Sequence, residues 1–206
     1  MTGKFISIEG VEGAGKSTQV SFIHEYLKSL GKTVIVTREP GGTELSEKIR
    51  GLLLAPASPA MAVDTELLLM FAARAEHIFQ VINPALERGD WVLCDRFVDA
   101  TFAYQGGGRG VQQQRIQALA DWTLKGLIPD LTLLFDLPVE LGLQRVIQRQ
   151  EGIDRFEQEK VHFFEQIRAC YLQSAEAEPS RIKVVDASLS IPEIQQQLTL
   201  LLKPLI

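Results

Sequence analysis

Cysteine is scarce in this chain. Two in 206 residues, Cys94 and Cys170, are too few for a disulfide framework and fit a reducing compartment, the cytoplasm. Cys94 lies in an apolar run and reads as a small core residue. A basic surplus is also missing. Lys and Arg number 21 against 26 Asp and Glu, a net charge of −5. That balance excludes a general nucleic-acid binder, which needs cations to neutralise a phosphate backbone. It leaves room for a local basic cluster that binds a small anion. Long apolar runs are absent too: the longest, 67–73, is far too short to cross a bilayer. Strand-like sequence begins at residue 4, which leaves no space for a signal peptide. No repeat, linker or low-complexity segment divides the chain. With 46% apolar and 23% charged residues, 1–206 is expected to form one domain with a substantial core.

What is present begins with Gly10-Val11-Glu12-Gly13-Ala14-Gly15-Lys16-Ser17, followed by Thr18. This fits G-x-x-x-x-G-K-[ST], the phosphate-binding P-loop. It follows the strand-like run 5–8 and precedes a helical pattern, the context the motif requires. Glycines let backbone N–H groups turn around phosphate oxygens, and the next helix aims its positive dipole end at the same anion. Lys16 reaches the β- and γ-phosphates in such loops, and the Ser17 hydroxyl holds Mg²⁺.

Strands are expected at 4–9, 33–37, 91–95, 131–136 and 182–186. Helical patterns lie between them near 16–30, 43–54, 64–88, 112–125, 138–149 and 156–177, with 190–202 closing the chain. Continuous apolar strands separated by helices imply a parallel sheet covered on both faces. The fold class is therefore α/β: a P-loop NTPase three-layer sandwich with a five-stranded parallel sheet. Segments 55–60 and 105–110 read as surface loops. The four glycines of the second suggest a mobile or tightly turned segment, or else an inert connection.

Ligands in such folds sit beyond the carboxyl ends of the strands. Asp95 ends the run Trp91-Val92-Leu93-Cys94, as a Walker B carboxylate beside Mg²⁺ does; alone, it could equally close a strand-ending salt bridge. Glu12 should repel a bound phosphate, so it is expected to face away from ATP. There it could accept a hydrogen bond from a sugar hydroxyl of a second substrate, or simply face solvent. Arg145, Arg149 and Arg155 suggest a lid at roughly 145–157 that closes over phosphate, with a solvated basic face as the competing reading for Arg145. Phe71 and Arg74, three apart on one helix, could stack and hydrogen-bond a base, and Tyr104 could join them. A core position is the plainer reading for Phe71 in Leu-Leu-Met-Phe-Ala-Ala.

Taken together, Glu9–Thr18, Thr37-Arg38-Glu39-Pro40-Gly41-Gly42-Thr43, Leu69–Arg74, Asp95-Arg96-Phe97, Ala103–Gly110 and Asp154-Arg155-Phe156-Glu157 resemble the bacterial thymidylate kinases. The resemblance implies phosphorylation of dTMP to dTDP by ATP and Mg²⁺, a step toward dTTP for DNA replication. It implies that Gly10 to Thr18 bind ATP and that Ser17 and Asp95 serve the metal. Arg38 and Arg96 would clamp the dTMP phosphate, and Glu12 would meet its 3′-hydroxyl. Phe71 would stack on thymine and Arg74 bond its O4, with Thr101, Tyr104 and Gln105 near the base and sugar. Lys16, Arg96, Arg149 and Arg155 would be catalytic, since the P-loop lacks an arginine and the lid must supply the cation. Thr101 stands where some members carry Asn, and Phe97 where others carry Tyr or His. A homodimer is also implied. Another nucleotide or deoxynucleoside kinase, or a P-loop switch, shares part of this pattern. A GTP switch would need an Asn-Lys-x-Asp motif, which the sequence lacks.

Overall fold

The inner strands consist almost wholly of buried residues. β1 (Phe5–Glu9) is buried throughout, and β3 (Trp91–Asp95) and β4 (Leu131–Asp136) are buried up to their final carboxylate. Strands covered on both faces must be apolar at every position rather than at alternate ones. β2 (Val34–Arg38) and β5 (Ile182–Asp186) are more exposed, as edge strands are. The computed structural model describes residues 3–55, 61–148, 155–156 and 159–206, and pairs these strands in parallel in the order β2-β3-β1-β4-β5. The expected strands agree with the observed ones to within one residue at each end.

Side chains of a strand alternate between faces. Accordingly Val92 and Cys94 join one apolar cluster, with Phe5, Phe71, Phe97 and Ile116. Trp91 and Leu93 join the other, with Ile6, Ile8, Ile23, Phe164 and Leu198. Helices α1 (Lys16–Ser29), α8 (Val161–Ala177) and α9 (Ile191–Leu202) carry members of that larger cluster; α3 (Val63–His77) and α6 (Gln113–Leu124) carry members of the other. The remaining helices are α2 (Glu44–Leu54), α4 (Asn83–Glu87), α5 (Val98–Thr101) and α7 (Val139–Gln148). The Thr43 hydroxyl caps α2 by accepting from the Ser46 N–H. No helix among the described residues is long and apolar enough to cross a membrane.

Two expectations need correction. The helix expected over 64–88 is broken by a π-helical turn at Ile78–Ile82, just before Pro84, which has no N–H to continue an α-helical ladder. The segment 105–110, expected to be a surface loop, lies largely in a π-helical stretch, Phe102–Gly108, whose Ala103, Tyr104 and Gln105 are buried. A Cβ on Gly107 would lie 2.8 Å from the Cys170 Cβ and 3.0 Å from the Gln166 carbonyl of α8. Gly107, and Gly108 against Phe163, serve close approach to α8. The segment 55–60 falls outside the described residues except for Ala55.

Candidate active site

Register sets the site. Ile8 pairs with Asp95 and Arg38 with Asp95 on its other side, so β1, β2 and β3 end side by side. The chain leaves β1 into the P-loop and enters α1 at Lys16, with Gly15 in the left-handed region at φ 76°. Gly13, φ 72°, faces the Gly142 carbonyl of α7 so closely that no Cβ would fit. Val11 turns into the core, while Glu12 to Thr18 line a cavity of about 510 Å³. Lys16 Nζ donates to the Gly10 and Val11 carbonyls at 3.0 Å each. Burial, then the nearby Arg96, lowers its pKa.

Across the cavity stands Arg96, one of two non-glycine residues at positive φ among the described residues, at 70°. A strained arginine at a strand end marks a functional position. Its Nη1 donates to the Gly10 carbonyl at 2.9 Å, its Nη2 pairs with Glu12, and its guanidinium lies 4.9 Å from the Tyr104 ring centroid. Burial acts to lower the Arg96 pKa. The Glu12 carboxylate and the Tyr104 and Tyr171 phenols more than offset that, so it stays cationic. Tyr104 also donates to Glu12 at 2.9 Å. The Glu12 carboxylate is thus turned toward Arg96 and Tyr104, with Lys16 3.8 Å away.

Arg74 reaches the same cavity from α3. Its Nε donates to Glu39 at 2.7 Å, and its Nη2 donates to Thr101 Oγ1 at 2.9 Å and the Phe97 carbonyl at 3.1 Å. Glu39 meets His77 at 2.9 Å, and His77 meets Thr37 at 2.7 Å. Arg74 Nη1 is buried without a hydrogen-bond partner among the described residues. An orphaned guanidinium nitrogen beside a cavity suits an acceptor on a ligand. Gln105 lines the cavity too and donates to Glu66 at 2.8 Å.

Besides Gly10 and Val11 of the P-loop, three expected residues do not line the cavity. Phe71 is 4% exposed and belongs to the core cluster of Phe5 and Phe97, with the Arg74 guanidinium 5.0 Å from its ring centroid. Besides Arg74, the side chain that α3 presents to the cavity is Met70. Residues four apart share a helix face more closely than residues three apart, a signal by which Met70 could have been found from Arg74. Arg38 lies against Glu47, donating at 3.0 and 3.1 Å, and is about half exposed; Arg50 of α2 lines the cavity instead, donating to the Pro40 carbonyl at 2.9 Å. Arg50 carried no signal in its local sequence. Arg155 is drawn to Glu66, with Nη2 and Oε2 2.7 Å apart, and donates to the Leu53 carbonyl at 2.9 Å. Glu66 is 1% exposed, so its charge needs such a partner. Arg145 does line the cavity and donates to the Ala187 carbonyl at 3.0 Å. Arg149 lies outside the described residues.

The donor set for a metal is sparse and specific. No group of three or more His, Cys, Asp or Glu among the described residues could hold an ion. Asp95 lines the same cavity as Ser17 of the P-loop, and its Oδ1 is buried and has no hydrogen-bond partner among the described residues. One carboxylate and one hydroxyl suit Mg²⁺, which takes its other ligands from water and substrate phosphates.

The family profile described as thymidylate kinase matches residues 8–198. The chain belongs to the thymidylate kinase family. It is 56% identical over its whole length to a thymidylate kinase of Pseudomonas savastanoi pv. phaseolicola, covering 98% of that protein. It is 56% identical over 96% of its length to one of Alcanivorax borkumensis, covering 95% of it. The crystal structure of thymidylate kinase from Ehrlichia chaffeensis superposes with a TM-score of 0.79 at 31% identity, over 98% of this chain and 99% of that one. Membership of the thymidylate kinases accounts for both halves of the cavity, a P-loop on one wall and a base-sized recess around Arg74 on the other.

Proposed function

We propose that this protein transfers the γ-phosphoryl group of ATP to the phosphate of dTMP, releasing dTDP and ADP. The observation that carries the reading is one cavity joining Lys16 of the P-loop to Arg96 and to the unpartnered Arg74 Nη1. Such transfer proceeds by positioning and by neutralising charge on the moving group. A phosphate oxygen of dTMP bonds to the γ-phosphorus as the bond to the bridging oxygen breaks and ADP departs with that oxygen. The P-loop N–H groups and Lys16 hold the donor phosphates, and Lys16 offsets charge on the γ-phosphoryl.

Ser17 and Asp95 would hold Mg²⁺, which would supply positive charge to offset that of the phosphates. Arg96 and Arg50 take the acceptor phosphate, in place of the Arg38 expected earlier. Glu12 keeps Arg96 oriented and, with Tyr104, faces the sugar. Arg74 donates to the O4 acceptor of thymine, while Thr101 and Gln105 close the base edge. Arg149 remains the lid arginine assigned to the transferring group.

Coupled ADP release with dTMP, dUMP, dCMP, dAMP and thymidine side by side tests the assignment. Cytosine offers a donor where Arg74 needs an acceptor, and an unpaired buried partner discriminates by factors up to about 10⁴. dTMP should lead dCMP widely, with dAMP and thymidine unused. Equal rates on dCMP would mean a broader nucleotide kinase. With soluble substrates and two unbridged cysteines, the reading places the protein in the cytoplasm, acting on neither nucleic acid nor membrane.

We also propose a homodimer. Leu68, Ala72, Ala75 and Phe79 are exposed and spaced four, three and four apart, which puts them on one face of α3 and its π turn. An apolar stripe on a long helix suits the same stripe of a second copy about a two-fold axis.

A further inference from the structure

Met70 is the side chain of α3 that faces the cavity with Arg74, one helical turn away. It is half-buried and packs against the cluster containing Tyr104, Val11 and Phe156; Phe71, one residue on, belongs to the other cluster. The wall around it is mixed: Ala100, Thr101, Tyr104 and Gln105 stand across from α3. A planar base that directs an edge to Arg74 Nη1 must lay a face on something apolar one turn along α3, and Met70 occupies that place.

We infer that Met70, not an aromatic ring, is the platform on which the acceptor's base lies, so that a bound pyrimidine nucleotide covers its thioether. The inference rests on the dTMP reading of the cavity. Chemistry suits the role. The thioether is polarizable, unbranched and adaptable, and sulfur makes favourable contacts with aromatic faces. It also makes the base site sensitive to oxidation. Hydrogen peroxide transfers one oxygen to the sulfur, giving the sulfoxide and water, and the apolar surface becomes polar.

The chain has three methionines, Met1, Met61 and Met70, so Met61, outside the cavity lining, serves as an internal reference. The full chain would be treated with hydrogen peroxide with and without dTMP, and sulfoxide at each methionine followed by peptide mass spectrometry, while calorimetry measures dTMP binding. Saturating dTMP should slow oxidation of Met70 and leave Met61 unchanged. Met70→Ala should weaken dTMP binding by roughly tenfold with a modest fall in Tm, and Met70→Leu should restore most of both. If dTMP binds the wild type yet Met70 oxidises at the same rate, or Met70→Ala binds dTMP as tightly as wild type, the platform lies elsewhere and the inference fails alone. If dTMP does not bind the wild type at all, the proposed function falls and takes this inference with it.

Discussion

Lys16 and Arg155 are both cations that sequence patterns tie to phosphate, yet the structure gives them different work. Lys16 lies in the cavity, donating to carbonyls of its own loop. Lys16→Ala should cut kcat by about 10² or more with the fold intact by circular dichroism, because its charge matters most where the transition state gathers negative charge. Turnover near wild type would remove the P-loop from the mechanism. Arg155, by contrast, is committed to Glu66 and the Leu53 carbonyl. Sequence reasoning alone expects Arg155→Ala to lower kcat. The geometry expects a loss of stability instead. Gln105 and Arg109 still reach Glu66, at 2.8 and 3.4 Å, so the loss should be about 2 kcal/mol, below that for a stranded buried charge. A urea midpoint that falls while kcat at saturating substrate stays within a fewfold would support this. An unchanged midpoint with collapsed kcat would restore the catalytic assignment.

Among the elements, the stretch Phe102–Gly108 departs furthest from its local sequence. Four glycines between 106 and 110 would make a free peptide flexible. Here Gly107 and Gly108 let one helical segment press against α8, with Cys170 and the Gln166 carbonyl where a Gly107 side chain would go. Gly107→Ala should therefore destabilise by about 1–3 kcal/mol through overpacking, read as a lowered Tm. Gly110, with nothing within 4 Å of a built Cβ, meets no such clash but sits at φ 74°, so its cost would come from backbone strain alone. Tyr104 and Gln105 lie on the same stretch, so Gly107→Ala should also raise the KM for dTMP. A rise in Tm would show that α8 yields at this contact.

At the scale of the molecule, Glu9 ends the central strand with its carboxyl sealed inside. It accepts from the Phe97 N–H and the Tyr171 hydroxyl, each at 2.7 Å. Burial first, and Asp99 second, push its pKa up from 4.5 to about 8, against the pull of Tyr171, Arg96 and the Phe97 N–H. Between those values the native chain holds a proton that the unfolded chain has released. Stability from this group is therefore complete below the unfolded value and is lost as pH rises toward about 8. Glu9→Gln should flatten that fall, so the variant gains on wild type as pH rises through the window, by urea midpoints. Parallel pH profiles for the two proteins would mean Glu9 is ionised throughout. Assembly belongs to this scale as well. Phe79 is 75% exposed on the apolar stripe of α3. Phe79→Glu should turn a dimer into a monomer in sedimentation, whereas a wild type that sediments as a monomer would remove the interface altogether.

The amino-acid sequence by itself determined the sheet, the P-loop and the family. Buried parallel strands need unbroken apolar runs, and a phosphate-binding turn needs its glycines and lysine at one spacing, so both are written locally. Asp95 and Arg96 were legible for a related reason: they stand at a strand end that chain order already assigns to the cavity, whereas Arg74 was named through the family resemblance. Tertiary structure alone decided the rest. Arg38 and Arg155 face Glu47 and Glu66, carboxylates nine and 89 residues away, while Arg50 and Met70 take the places at the cavity. Whether a cation meets a substrate or an internal carboxylate depends on which helix packs beside it. A one-residue step around α3 moves a side chain by about 100°, from core to cavity, a distinction that the packing of α3 against its neighbours settles.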